Sequence, residues 1–308
     1  MEGPVSRAAE EIVGVNWGSS NFRAYRIAGD GAVIDEHSEP RGVAALDRAG
    51  MAEMMDALAA RWPGHGPVYA SGMIGSNIGW AEAPYAEAPA DGDAVARATI
   101  AATIGSVPVT IVPGIACTRR FDGAPDIMRG EEVELLGLAA AMPVDGIAAL
   151  PGTHTKWVRM EGGRILDFFT AMSGEIYDRL TGQGLLASIV EGEAAIGAAF
   201  LEGVEAGRAR NLGLGTLLFG ARARVIRGAL ARGDSASYLR GLLIGSEIAD
   251  ATALCPGLAD HVVPLIGNGP LSRLYAAALE AAGVQTRFME SREACVLGFR
   301  QLHLAASR

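Results

Sequence analysis

The sequence is poor in cysteine, which excludes a fold built on disulfide bonds. Only three cysteines occur in 308 residues, Cys117, Cys255 and Cys295, and no two of them form a CxxC pair. An odd number of widely separated cysteines is typical of free thiols in a reducing compartment. We therefore expect three buried free thiols.

Long hydrophobic runs are also missing. No stretch of about eighteen apolar residues without a charge occurs, so the sequence predicts no membrane span. The first eleven residues are polar and lack the apolar core of a signal peptide. We therefore expect a cytoplasmic protein without a membrane partner.

Positive charge is in the minority, with 26 Lys and Arg against 35 Asp and Glu, for a net charge of −9. A nucleic-acid-binding surface needs a basic stripe or patch, so the charge balance argues against nucleic acid as a partner. A small anionic substrate is not excluded, because a few positive groups can still cluster in a cleft.

What the sequence does contain is an α/β pattern that occurs twice, about half a chain apart. Each copy has a strand, a corner of Gly and small hydroxyl residues, a second strand, a Gly-rich turn and a third strand. The strands are predicted at residues 12–15, 22–27 and 32–36, and again at 147–150, 157–160 and 164–169. This repeat indicates an internal duplication with one copy opening each of two domains, which the chain length also favours.

The remaining segments alternate between helices and short strands. Apolar periodicity predicts helices at residues 49–62, 131–142, 192–206, 214–230, 236–254, 271–282 and 292–305. Further strands are predicted at 68–70, 110–112 and 262–266, and a loop at 71–89.

The two corners could bind phosphate. Glycine lets the backbone approach a phosphate, while exposed N–H groups and hydroxyls can donate to it. One such corner alone is more typical of an ordinary hairpin, but two copies favour a phosphate clamp. The residues concerned are Gly18, Ser19, Ser20 and Asn21 in the first copy, and Gly152, Thr153, Thr155 and Lys156 in the second.

Acidic residues precede and open the predicted helix at 131–142. Glu131 or Asp126 could accept the proton of a sugar hydroxyl, although acidic residues are also common in a first helical turn because they suit the helix dipole. Arg129 could pair with a substrate carboxylate in a bidentate way. Lys156 could add positive charge to a transferring phosphoryl group, whereas His154 is interpreted as structural.

Two further segments are ambiguous. The small-residue loop 71–77, followed by Trp80 and Tyr85, suits polyol recognition, but a plain surface loop has the same composition. The turn at residues 267–269 follows a strand and lacks the full GxGxxG spacing. A nucleotide base lying against this turn and simple packing are equally compatible with it.

Four motifs together resemble a known family, the 2-dehydro-3-deoxygalactonokinases of the sugar kinase, heat-shock ATPase and actin superfamily. The motifs lie at residues 16–23, 72–80, 128–132 and 150–157, and the resemblance runs from about Ile12 to His303. It implies an α/β fold of two actin-like (ribonuclease H-like) ATPase domains around a nucleotide cleft. Residues 1–145 would carry the sugar-acid site and 146–308 the nucleotide site, with the last helix able to pack back on the first domain.

The resemblance also implies roles for individual residues. Glu131 would be the catalytic base, with Asp126 as the other candidate and Lys156 assisting. ATP and its phosphates would contact Gly18, Ser19, Ser20, Gly152, Thr153, Thr155, Gly267, Asn268 and Gly269. The sugar acid would contact Asn21, Arg23, Arg41, Ser71, Gly72, Met73, Ser76, Trp80, Tyr85 and Arg129.

Asn16 is a departure from the family pattern, which has Asp at this position to help hold Mg²⁺ or its waters. Asparagine offers a hard cation only a neutral carbonyl oxygen. The implied reaction is Mg²⁺-dependent transfer of the γ-phosphoryl group of ATP to the 6-hydroxyl of 2-dehydro-3-deoxy-galactonate.

Two alternatives to this reaction stay open. One is a catalytically weak sensor that binds a sugar acid or a nucleotide, and the other is a kinase for another sugar acid such as 2-dehydro-3-deoxy-gluconate. No DNA-binding helix-turn-helix extension is visible. The sequence does not fix the oligomeric state, for which a homodimer is one alternative.

Overall fold

The computed structural model describes residues 10–142, 144–267 and 269–308. The chain divides into two compact units. The first unit comprises Met1–Asp145, Met160–Phe168 and Glu290–Arg308, and the second comprises Gly146–Arg159 and Phe169–Met289.

The described residues form runs of strands separated by helices, and four helices follow one another in the second half of the chain. The strands are β1 Ile12–Trp17, β2 Phe22–Ile27, β3 Val33–Glu39, β4 Val68–Gly72, β5 Tyr85–Glu87, β6 Ile100–Ile104, β7 Val107–Ile111, β8 Gly114–Thr118, β9 Pro125–Met128, β10 Gly146–Leu150, β11 Thr155–Glu161, β12 Arg164–Ala171, β13 Val263–Ile266 and β14 Thr286–Met289. The helices are α1 Arg48–Arg61, α2 Gly92–Arg97, α3 Glu131–Ala141, α4 Ser173–Gly182, α5 Ala198–Arg208, α6 Leu214–Ile226, α7 Ser235–Leu254, α8 Gly269–Ala281 and α9 Ser291–Ala306.

The two large sheets share one strand order. In the first the order is β3-β2-β1-β4-β7-β6, and in the second it is β12-β11-β10-β13-β14. Numbered within each repeat, both begin 3-2-1-4, so the predicted three-strand pattern occurs twice in the structure. In each sheet the first strand of the repeat pairs in parallel with the fourth, β1 with β4 and β10 with β13.

This topology determines where each site residue lies. The carboxyl ends of parallel strands meet at one edge of a sheet, where α/β folds bind ligands. In the first unit this edge carries Trp17 and Gly72, which are paired in register. In the second unit it carries the residues that follow Leu150 and Ile266.

Each large sheet packs against helices through a hydrophobic core. In the first unit, Val15 and Trp17 of β1 join Met55 and Leu58 of α1 and the neighbouring Trp62. In the second unit, the strands pack against the central helices through a core that includes Ala149, Leu265, Phe200, Ile244 and Tyr275. These aliphatic and aromatic side chains supply most of the burial that stabilises the units.

Glycines allow unusually close helix packing in both units. A Cβ at Gly137 of α3 would lie 1.9 Å from the carbonyl oxygen of Ala294 in α9. A Cβ at Gly203 of α5 would lie 2.2 Å from the carbonyl oxygen of Tyr238 in α7. These distances are far below van der Waals contact, so only glycine fits at these crossings.

The secondary-structure predictions are confirmed for the repeated strands and for most of the long helices. The loop predicted at 71–89 is wrong in part, because it contains the end of β4 and all of β5, a three-residue strand that pairs with distant β8. The helix predicted at 192–206 begins only at Ala198. Contacts with α7 hold the preceding segment outside the helix, because the amides of Glu191 and Ala195 donate to the hydroxyls of Ser235 and Ser237.

Several elements were not predicted at all, namely β6, β8, β9, β14, α2 and α4.

The three cysteines are free, as expected, although Cys255 is only partly buried. Over the described ranges, no helix is both long enough and apolar enough to cross a membrane.

We expect Gly137→Ala to lower the melting temperature of the protein by several degrees. The added methyl group would overlap the Ala294 carbonyl, and overpacking of this kind costs about 1–3 kcal/mol or more. The matched control is Gly220→Ala in α6, where no atom lies within 4 Å of the added Cβ. Calorimetry should show the control unchanged or slightly more stable, and equal melting temperatures for both variants would contradict the close crossing.

Candidate functional site

The first corner lies at the end of β1 and is closed by a hydrogen bond from the Gly18 amide to the Asn21 carbonyl, 2.9 Å long. Ser19 and Ser20 at its tip are exposed. A second backbone segment braces it from outside, since the Val43 amide donates to the Gly18 carbonyl at 3.0 Å. A Cβ at Gly42 would lie 2.1 Å from the Ser19 carbonyl, so glycine is required for this contact. The corner is therefore a preformed backbone turn with exposed hydroxyls.

Asn16 contacts the buried thiol of Cys295, which lies beside the partly buried acid Glu134. Its side-chain amide donates to the Cys295 sulfur at 3.3 Å, and that sulfur lies 3.8 Å from the Glu134 carboxylate. Ser291 also hydrogen-bonds Glu134. Burial raises the pKa of Glu134 to about 7 and also raises the pKa of the Cys295 thiol. Arg23 pairs in register with Asn16 across β1 and β2, so both residues project from the same face of the sheet.

The loop after β4 turns sharply beside the first corner. Gly72 has φ +92, and a Cβ there would lie 2.7 Å from the Trp17 carbonyl oxygen. The Ser76 hydroxyl donates to the Met73 carbonyl at 2.7 Å, which closes the short 3₁₀ turn Met73–Gly75. Ser71, opposite Asn16 in the β1–β4 register, is fully buried.

Arg129 is held against this loop by two partners, and Gly75 leaves room for its guanidinium. Its guanidinium donates to the Ala83 carbonyl at 2.8 Å and lies over the Tyr85 ring at 4.4 Å. Its Nη1 would lie 3.1 Å from a Cβ at Gly75. Arg129 is thus fixed in position before any ligand binds.

Four residues of the first unit carry buried polar atoms that have no hydrogen-bond partner within the described part of the chain. We call them the orphan set: Trp17 Nε1, Ser71 Oγ, Arg129 Nε and Nη1, and Glu132 Oε1. An unsatisfied buried polar group costs about 1–3 kcal/mol, so several of them near one strand edge indicate a ligand-binding site.

Helix α3 begins beside the orphan set. Gly130, with φ +110, would place a Cβ 3.4 Å from the Gly72 Cα. Glu131 accepts from the Arg129 amide at 3.1 Å, and Glu132 accepts from the Gly130 amide at 2.6 Å. Burial, followed by the neighbouring Glu131 charge, raises the pKa of Glu132 to about 8.

The two predicted acids lie in different surroundings. Asp126 is on β9, where Arg119 lies 3.4 Å from its carboxylate and the Ile127 amide donates to it at 2.8 Å. Glu131 starts α3 next to Arg129 and Gly130. The ion pair makes Asp126 the less suitable general base.

The remaining predicted sugar-acid residues are scattered over the first unit. The guanidinium carbon of Arg48 lies 4.1 Å from the centre of the Trp80 ring. Arg48 also donates to the Trp80 backbone carbonyl at 2.7 Å. Arg41 is exposed, 3.7 Å from Glu39. Asn21 and Arg23 are exposed on either side of the β2 start.

The second corner follows β10 and is also braced from outside. A Cβ at Gly174, at the start of α4, would lie 2.3 Å from the Gly152 carbonyl oxygen, and the Glu175 amide donates to the Thr153 carbonyl at 2.9 Å. His154 bonds Glu175 at 2.7 Å, in keeping with a structural role.

Thr155 and Lys156 of the second corner are buried rather than exposed. The Thr155 hydroxyl lies 2.8 Å from the Tyr275 hydroxyl, and the Lys156 ammonium group donates to Thr170 at 2.8 Å. Gly152 and Thr153 are the more accessible members of this corner.

The predicted nucleotide turn lies beside this corner. A Cβ at Gly267 would lie 3.8 Å from the Pro151 carbonyl oxygen and 2.6 Å from the Ser272 hydroxyl, which is itself buried with no partner among the described residues. Gly269 begins α8, whereas the predicted Asn268 lies outside the described residues.

Sequence reasoning missed Gly42, Gly174, Glu132, Glu134 and Glu247. The adjacent pair Glu131 and Glu132 was the only local signal for any of these residues. Gly42 and Gly174 pack on the two corners from segments that are distant in the sequence, so no local pattern could indicate them. Within the described ranges no group of three or more His, Cys, Asp or Glu side chains could hold a metal ion.

Comparison with known proteins is consistent across sequence and structure. The family model described as 2-keto-3-deoxy-galactonokinase matches residues 16–302. A Rhizobium meliloti protein named "Probable 2-dehydro-3-deoxygalactonokinase" is 38% identical over 92% of this chain and 94% of its own length. The 2-dehydro-3-deoxygalactonokinase of Escherichia coli is 31% identical over 94% of this chain and 96% of its own.

A solved structure agrees with these matches. A crystal structure carrying the same enzyme name, from Sinorhizobium meliloti, is 36% identical, covers 96% of this chain and 95% of its own, and superposes with a TM-score of 0.84. Two distant solved structures, 9% and 11% identical with TM-scores of 0.52 and 0.51, share the fold alone, and with the repeated strand order they confirm the predicted actin-like α/β fold.

We expect Glu132→Gln to weaken the pH dependence of stability. The pKa of Glu132 is about 8 in the folded state against an ordinary 4.5, so between these values the folded protein keeps a proton that the unfolded chain releases. Stability should therefore fall as the pH rises from 4.5 to 8, with this residue contributing up to ~1.4 kcal/mol per pH unit.

Melting temperatures at pH 5, 6.5 and 8 measure this effect. The stability of Glu132→Gln relative to the native protein should increase steadily towards pH 8, while Glu53→Gln, at an exposed position of α1, should follow the native protein at every pH. Parallel curves for Glu132→Gln and the native protein would show that Glu132 is ionised in the fold.

Proposed function

The chain belongs to the 2-keto-3-deoxy-galactonokinase family, and we propose that it transfers the γ-phosphoryl group of ATP to the 6-hydroxyl of 2-dehydro-3-deoxy-galactonate in galactonate catabolism. The two relatives at 38% and 31% identity carry this activity in their names. The observation that supports it most directly is the orphan set beside the start of α3, because it offers buried donors and acceptors to a small polar acid.

Arg129 is the proposed contact of the substrate carboxylate. A guanidinium offers a fork of donors that matches a carboxylate, and its Nε and Nη1 are buried without partners among the described residues. The Tyr85 ring and the Ala83 carbonyl already hold the group, so binding costs little side-chain ordering.

Glu131 is the proposed general base. It lies at the first residue of α3, directly after Arg129 and Gly130, and its carboxylate accepts from the Arg129 amide at 3.1 Å. Accepting the proton of the attacking hydroxyl contributes about 10²–10⁴-fold to the rate. Glu131 therefore deprotonates the hydroxyl while Arg129 fixes the other end of the acid.

The two corners are the proposed phosphate sites. Their braced turns carry the exposed hydroxyl residues Ser19, Ser20 and Thr153, and preformed donors cost no reorganisation when charge develops on the phosphoryl group. The turn after β13 is the proposed contact of the adenosine. Lys156 is buried, and its proposed role is to add positive charge near the transferring phosphoryl group.

Magnesium would supply charge neutralisation on the nucleotide phosphates. The residues present fit an ion held mainly by those phosphates and by water, because Asn16 offers one neutral oxygen and the described residues contain no metal-binding cluster. Asn16 is the proposed protein contact of such an ion. We also propose a cytoplasmic location, since all three thiols are free.

A second function is favoured by Asn16 alone. The side-chain amide of Asn16 donates to the Cys295 sulfur, and asparagine provides no carboxylate for a metal ion. A chain that binds the sugar acid or nucleotide with little turnover, as a sensor, would have this arrangement.

A coupled assay of ADP release tests the proposal, with ATP, Mg²⁺ and either 2-dehydro-3-deoxy-galactonate or 2-dehydro-3-deoxy-gluconate. We expect turnover with the galacto acid, formation of its phosphate ester by mass spectrometry, and little ADP without an acceptor. Faster turnover with 2-dehydro-3-deoxy-gluconate would mean that the gluco acid, and not the galacto acid, is the substrate. If calorimetry shows that ATP and the sugar acid both bind and the assay shows no turnover, the sensor function would be supported instead of the kinase.

We expect Glu131→Gln to reduce kcat by about 10²–10⁴-fold with little change in the affinity for ADP, because the amide cannot accept the proton. The matched variant Asp126→Asn should keep kcat within a few-fold of the native value. Steady-state kinetics and calorimetry on both variants separate the two acids, and the reverse order of effects would make Asp126 the base.

A further inference from the structure

A buried carboxylate lies beneath the second corner without a positively charged partner. Glu247, on α7, is only 3% exposed and forms no ion pair within the described residues. It accepts from Trp157 Nε1 at 2.5 Å, from the Tyr275 hydroxyl at 2.8 Å and from the Ser173 hydroxyl. A well-packed apolar residue would cost less here than a buried acid, so stability alone does not account for Glu247.

One arm of this network reaches the backbone of the corner. The Tyr275 hydroxyl donates to Glu247 at 2.8 Å, and it lies 2.8 Å from the Thr155 hydroxyl and 3.0 Å from the Ser173 hydroxyl. The Thr155 oxygen in turn accepts from the Gly152 amide at 3.4 Å. A chain of hydrogen bonds therefore links the Gly152 amide through Thr155 and Tyr275 to Glu247.

The other arm reaches the external brace of the corner. Ser173 is the first residue of α4 and bonds Glu247 directly. The next residue, Gly174, packs on the Gly152 carbonyl, and the Glu175 amide donates to the Thr153 carbonyl at 2.9 Å. One carboxylate thus holds both the inner wall of the corner and the helix that covers it.

We propose that Glu247 and Tyr275 are positioning residues for phosphate binding, which fix the Gly152–Thr155 corner through Thr155 and Ser173. Thr155 then acts as an inward brace, because it is fully buried and its hydroxyl is hydrogen-bonded to the Tyr275 hydroxyl. The phosphate is left to the accessible part of the corner, Gly152 and Thr153. The phosphate role of the corner rests on the proposed function, whereas the bracing is a property of the fold.

Tyr275→Phe tests the bracing in the free protein. Loss of the hydroxyl cuts the link to Thr155 and leaves the ring in the core. We expect amide hydrogen exchange in a peptide covering residues 150–157 to become at least about fivefold faster, in line with the loss of one buried hydrogen bond. The control is Tyr238→Phe, an equally buried tyrosine on α7 that lies against Arg224 instead. Unchanged exchange in Tyr275→Phe, or an equal increase in both variants, would overturn the proposal.

Calorimetric titration with ADP tests the consequence for binding. Tyr275→Phe should raise the Kd for ADP about fivefold to tenfold and leave the Kd for the sugar acid unchanged, while Tyr238→Phe should change neither. Faster exchange with native ADP affinity would overturn the positioning role. If the native protein neither binds ADP nor turns over, the proposed function fails, and the corner is then not a phosphate site.

Glu247 is tested by a pair of substitutions. Glu247→Gln keeps an acceptor for Trp157 and should retain part of the ADP affinity, whereas Glu247→Leu removes all three hydrogen bonds and should match or exceed the loss in Tyr275→Phe. A merely space-filling role predicts the opposite order, because Leu is the better core residue, and that order would overturn the assignment of Glu247.

Discussion

Close contact between backbone segments at the two corners is the constraint on which the rest of the site depends. Gly42 packs on Ser19 in the first unit, and Gly174 packs on Gly152 in the second, each at a distance that no other residue allows. A turn that is braced in this way keeps its amides and hydroxyls in one arrangement, and preorganised donors are what phosphoryl transfer requires. Because each corner follows the first strand of a repeat, duplication of the strand order also duplicated the position of the turn.

Buried acids form the second shared feature of the two units. Glu132 and Glu134 lie on α3 near the first corner, and Glu247 lies under the second. Burial raises the pKa of all three, to about 8, 7 and 7. Each accepts hydrogen bonds from residues next to a proposed site, so these acids link the core to the functional edge of the sheet. Together with the orphan set, they show that the first unit keeps polar groups buried where hydrophobic packing would be more stable.

Local sequence signals predicted the repeated strands and both corners, because a strand, a Gly-hydroxyl corner and a second strand are adjacent in the chain. The same signals could not find β5, β8 and β9, since β5 is only three residues long and pairs with a segment far along the chain. The braces Gly42 and Gly174 were missed for the same reason. Alternation along β11 explains why Thr155 and Lys156, both in the predicted phosphate motif, contact Tyr275 and Thr170 respectively. The roles of the site residues and the domain boundary at residue 145 stay predictions.

Hydrogen exchange of the native protein, with and without ADP, Mg²⁺ and 2-dehydro-3-deoxy-galactonate, tests the central claim most directly. The account predicts that nucleotide slows exchange in peptides covering both corners, residues 16–22 and 150–157. It predicts that the sugar acid slows exchange in residues 71–80 and 128–132, which surround the orphan set. Protection of neither corner by nucleotide, under conditions in which calorimetry shows it bound, would contradict the assignment of the corners as phosphate sites.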